Sequence, residues 1–135
     1  MANKTDEHNI TQILTDFCAL LEKVPDEYQW NYDEVHRLDL LTQDYLHKLE
    51  LEELSYAERA KIATALAKTR KSRRRCKDTA SLLEPLAEFI RSQSGKILFN
   101  MTREVLGKTR KAEKLQENRA YIPRVLEPEK KGEAE

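Results

Sequence analysis

Three glycines and four prolines are all the turn punctuation in this chain of 135 residues. A β-rich fold consumes such residues at every reversal, whereas a helical fold needs them only near helix ends, so the scarcity points to an all-α architecture. The length is that of one domain, able to bury a core without disulfides or metals. We therefore expect a single-domain bundle of four or five helices over residues 1–126, followed by a charged, disordered tail over 127–135.

Apolar spacing places the helices. Ile10, Ile13, Leu14, Phe17, Cys18, Leu21 and Val24 recur at steps of three and four, which predicts a core-facing helix from near Thr5 to a stop before Pro25. The segment 25–32 reads as a linker in which Tyr28, Trp30 and Tyr32 share one side of an extended chain and clamp the first two helices. A second helix is predicted from Asp33 to about Glu50, burying Val35, Leu38, Leu41, Thr42, Tyr45, Leu46 and Leu49. Ser55-Tyr56-Ala57-Glu58 has the spacing of a capping box and marks the start of a third helix, which runs to about Leu83. Its seam, Ile62, Ala65, Thr69, Ser72, Cys76, Thr79 and Leu83, is mostly small and permits close approach of a neighbour. Pro85 should kink this helix or open the next. The fourth helical region carries Leu86, Phe89, Ile90, Ile97, Met101 and Val105, with interruptions expected at Ser94-Gly95 and Gly107, and a short last helix follows over 109–120.

The zero net charge conceals segregation. Residues 1–55 hold 4 Lys and Arg against 13 Asp and Glu, a net −9, while residues 56–126 hold 18 against 7, a net +11. The densest cluster is Lys68, Arg70, Lys71, Arg73, Arg74, Arg75 and Lys77, inside the third helix. At 100° per residue these side chains spread over roughly two thirds of the circumference, leaving the small seam uncharged. Such repulsion is answered either by phosphates, with Arg110 and Lys111 in a second basic stretch, or internally by Asp33, Glu34, Asp39, Asp44, Glu50, Glu52 and Glu53.

Catalytic and metal chemistry find little footing. Asp33 with His36 and Asp44 with His47 have a spacing that can share a metal, but both histidines fall on the polar side of the second helix. Glu50-x-x-Glu53 resembles half of the magnesium-binding pattern of all-α nucleotide pyrophosphohydrolases, and the later Glu-x-x-Asp half of that pattern has no counterpart here. Cys18 and Cys76 are far apart and outside any metal-ligand spacing, which suits reduced thiols. No apolar run approaches the roughly 20 residues that span a bilayer, and the first nine residues are polar, so a soluble, cytoplasmic protein is expected.

The sequence therefore predicts a non-enzymatic protein without cofactor or metal. Its leading role is an accessory protein on DNA or RNA backbone, with Arg70, Lys71, Arg73, Arg74, Arg75, Lys77, Arg110 and Lys111 as phosphate contacts. The alternative is a protein-interaction module or self-associating bundle that offers its small seam and aromatic linker to another chain. One local expectation is directly testable: Ser55→Ala removes the capping acceptor and should lower stability by about 0.5–2 kcal/mol in urea unfolding.

Overall fold

The computed structural model describes residues 4–126, which are 88% helical and contain no strand. They form three helices rather than four or five: α1 (Lys4–Leu51), α2 (Tyr56–Arg91) and α3 (Gln93–Glu117). The tail over 127–135 lies outside the described residues.

The first correction concerns Pro25, which sits inside α1 instead of ending it. A proline deletes one backbone hydrogen bond and crowds the carbonyl four residues back, at a cost of about 3 kcal/mol, so packing must outweigh it. It does so here. Leu14, Leu21, Tyr28, Val35, Thr42 and Leu49 follow one another at intervals of seven, and all six are buried or half-buried. A seven-residue repeat unbroken across Pro25 keeps one seam facing a partner helix through the whole length of α1. The predicted linker and second helix are therefore continuous with the first, over about 72 Å at 1.5 Å per residue.

The partner is α2, with its own interval of seven in Ile62, Thr69, Cys76, Leu83 and Ile90, all buried or half-buried. The capping box at Ser55 is present: the Ser55 hydroxyl accepts from the Glu58 amide at 3.2 Å, and the Glu58 carboxylate accepts from the Ser55 amide at 3.1 Å. The small seam faces α1, except that Ala80 is buried in place of the expected Thr79. Both thiols are free; Cys18 is buried and Cys76 partly so. Pro85 also lies inside its helix, and α2 ends six residues later.

That end is made by Ser92. Its amide donates to the Glu88 and Phe89 carbonyls at 3.1 Å, closing α2, and its hydroxyl accepts from the Gly95 amide at 3.2 Å, opening α3. One extended residue, with φ −70° and ψ 165°, thus caps both helices and makes an elbow. Gly95 is buried in its crook. A Cβ there would stand 2.1 Å from the Phe89 oxygen and 2.6 Å from the Ile90 Cα and oxygen, so only glycine fits. Gly107, the other expected interruption, lies within α3, and the predicted last helix is part of it up to Glu117.

Contacts along the molecule give the topology. Asp39 meets Arg73, the Pro25 carbonyl meets Arg91, Thr15 meets Arg110 and Thr11 meets Glu113. As the number falls along α1 it rises along α2 and then α3, so these two helices form a jointed return arm antiparallel to α1. Where the joint lies, Leu21, Val24, Ala87 and Ile90 make the core cluster, with Tyr28, Leu83, Leu86 and Phe99 packed against it.

The two glycines should respond in opposite ways. Gly95→Ala forces the elbow open and should cost at least about 2 kcal/mol by overpacking. Gly107→Ala, with nothing within 4 Å of its new Cβ, should leave stability unchanged or raise it by about 0.5–1 kcal/mol. Thermal and urea unfolding of the two variants check both.

Candidate nucleic-acid interface

Helix α2 divides its basic cluster between two surroundings. Arg73 leans toward α1, where its Nε donates to Asp39 Oδ1, and Arg70 Nη1 lies 3.6 Å from the same oxygen. Lys68, Lys71, Arg74 and Arg75 are exposed; Lys71 and Arg74 lie opposite the seam of Ile62, Thr69 and Ala87, and Lys68 and Arg75 lie on its flank. Among the described residues none of these four has an acidic partner within 4 Å.

The acidic residues of α1 are mostly engaged elsewhere or face water. Glu34 takes two hydrogen bonds from Arg37 of its own helix, at 2.6 and 2.9 Å, and these hold its carboxyl below the usual carboxylate range. Glu52 lies 4.0 Å from Lys48, and Asp33 accepts from Gln29 at 3.0 Å. Of the seven acids expected to answer the basic helix, Asp39 alone pairs across to α2 among the described residues. Internal neutralisation is thus confined to two of the arginines.

Beside this pair runs a groove of about 340 Å³ between α1 and α2. The aromatic segment builds one wall of it, although not as an extended chain. In a continuous helix residues four apart share a face, so Tyr28, Tyr32 and His36 line up while Trp30 points away, 62% exposed. Ring centres are 6.1 Å apart from Tyr28 to Tyr32 and 4.8 Å from Tyr32 to His36. Arg73 and Lys77 form the facing wall, Glu84 lies at one end and Arg91 stacks 5.7 Å from the Tyr28 ring centre. Partial burial raises the Tyr28 pKa, with Glu84, Tyr32 and Glu88 adding to the rise and Arg91 opposing it, so the phenol stays neutral. The signal for this wall, two tyrosines and a histidine at intervals of four, is present in the sequence and becomes readable once Pro25 is placed inside a helix.

The second basic stretch is not brought to the first. Arg110 Nη2 donates to Thr15 Oγ1 at 3.2 Å, and Lys111 is exposed beside it. Thr15 and Asp39 are 24 residues apart on one helix, which separates the two stretches by about 36 Å along the long axis.

His36 and His47 are exposed, as the helical wheel predicts. Eleven residues of helix hold them about 16 Å apart, too far to share an ion. Among the described residues no three His, Cys, Asp or Glu converge on a metal position, and no helix is long and apolar enough to cross a membrane. Comparison with protein-family models, curated proteins and solved structures returns no match.

The division of the cluster is measurable by double-mutant cycle. Asp39 and Arg73 are partly exposed, so Asp39→Asn with Arg73→Gln should give a coupling of about 0.5–1 kcal/mol in urea unfolding, whereas Asp39→Asn with Arg74→Gln should give about zero.

Proposed function

We propose that this chain is a non-enzymatic nucleic-acid-associated protein that lays the outward side of α2 on a phosphate backbone. The observation that carries this reading is the set of exposed cations, Lys68, Lys71, Arg74 and Arg75, none of which has an acidic partner within 4 Å among the described residues. Like charges crowded on one helix repel, and a run of phosphates relieves that repulsion while releasing condensed counterions. Arg70 and Arg73, held by Asp39, serve to orient α2, and Lys77 stands at the rim of the aromatic groove.

The groove adds a second kind of contact. Tyrosine rings beside lysine and arginine are the combination on which unpaired bases stack while their phosphates meet cations. This favours single strands for the tightest binding. The Arg110 and Lys111 stretch, about 36 Å away along the long axis, supplies an outlying contact. Nothing in the arrangement reads base edges, so recognition is of backbone and stacking.

A cytoplasmic location and no catalytic role complete the proposal. Fluorescence anisotropy with labelled single strands and duplexes tests it. Binding should weaken linearly on a log–log scale as salt rises, and Lys71→Gln with Arg74→Gln and Arg75→Gln should make that slope shallower by about 2–3 without loss of helicity. Wild-type protein with no affinity for either form at low salt, or a slope unmoved by the substitutions, overturns the proposal.

A further inference from the structure

The periodicity of the first 24 residues predicts a single buried stripe, and the structure buries only half of it. Leu14, Cys18, Leu21 and Val24 are buried or half-buried, but Ile10, Ile13, Phe17 and Leu20 are 37–56% exposed. The reason is the elbow. The return arm bends at Ser92, and beyond this level α3 packs on a neighbouring side of α1.

Helix α3 repeats the pattern. Leu98, Thr102 and Leu106 are buried or half-buried on its inner side, while Ile97, Met101 and Val105 are 49–60% exposed. In both helices the exposed residue comes one position before an inner one, for example Phe17 before Cys18 and Met101 before Thr102. One position is 100° of rotation in the same sense. Two right-handed helices running in opposite directions turn equal offsets to the same side of the pair. The two exposed stripes therefore form one continuous apolar face.

We infer that this face is covered by a second copy of the chain, α1 of each protomer lying against α3 of the other, to give a four-helix layer around a two-fold axis. Area supports this occupant. The seven side chains expose roughly 600 Å² per copy before any rim is counted, most of the roughly 800 Å² per partner found in stable dimers. Charge supports the pairing of unlike helices, because α3 carries six Lys and Arg against three Glu while residues 10–24 of α1 carry Asp16 and Glu22 against Lys23. Crossing α1 onto α3 keeps the two net-positive α3 helices from facing one another. The self-association anticipated from the small seam thus moves to another surface, since that seam is occupied by α1.

Sedimentation of the nuclease-treated full chain tests the inference independently of nucleic-acid binding. At micromolar concentration the mass should be twice 15.8 kDa. Leu20→Lys alone and Val105→Glu alone, at one level along the axis, should each give monomers with unchanged helical circular dichroism, and mixing the two should restore the dimer by pairing the opposite charges. A monomeric wild type overturns the inference, as does a dimer that both variants leave intact. Dimerisation only after removal of residues 121–135 also overturns it, because it assigns the face to the chain's own Tyr121, Ile122, Val125 and Leu126. Failure of the mixed variants to associate overturns the α1-on-α3 arrangement.

Discussion

The contact of Gly95 with the backbone of Phe89 and Ile90 is the constraint on which the rest of the arrangement depends. Ser92 makes the bend, and only a residue without a Cβ at position 95 lets the elbow close this tightly. With it, the return arm changes sides at the level of Leu21 and Val24. The core is densest there because three helix segments share the same few residues. The prolines sit close to this level too, Pro25 in α1 and Pro85 in α2. Each removes a backbone hydrogen bond where side-chain packing best replaces it.

Charge follows the same geometry. The hairpin sets an acidic helix beside a basic one, yet side-chain reach lets only Asp39 act across the seam among the described residues. Exposed pairs of this kind contribute at most about 1 kcal/mol each. Hydrophobic and small-residue packing, rather than charge neutralisation, therefore holds α1 and α2 together, and most of the basic cluster is left for water or a partner. Segregation of charge along the sequence is a surface property here and not a folding code.

Features whose physics is local were legible in the sequence. The Ser55 capping box depends on four residues, and the structure contains it. The small seam of α2 depends on spacing within one helix and is correct except at Thr79. What misled was punctuation. Pro25 reads as a stop because a proline interior to a helix is costly, although the interval of seven from Leu14 to Leu49 passes through it unchanged. That misplacement turned Tyr28, Trp30 and Tyr32 into an extended cluster and hid the wall of Tyr28, Tyr32 and His36. The break at Ser94-Gly95 was anticipated within three residues. Which faces α3 would cover was not legible, because the answer lies in a direction change at Ser92 that periodicity does not encode.

The hairpin also orders the chain in time. Contacts close to the turn at residues 52–55 join residues near in sequence, and separation grows steadily away from it: 34 residues for Asp39 and Arg73, 66 for Pro25 and Arg91, 95 for Thr15 and Arg110, 102 for Thr11 and Glu113. Loop closure is least costly at the turn, and each new rung then closes only a short increment once the previous rung has formed. Contact separation that grows in this way favours closure from the tip outward. The end that closes last, where α1 meets α3, is also the end whose apolar face a single copy leaves uncovered, so in a lone chain its amide protons exchange sooner than those around Leu21, Val24, Ala87 and Ile90.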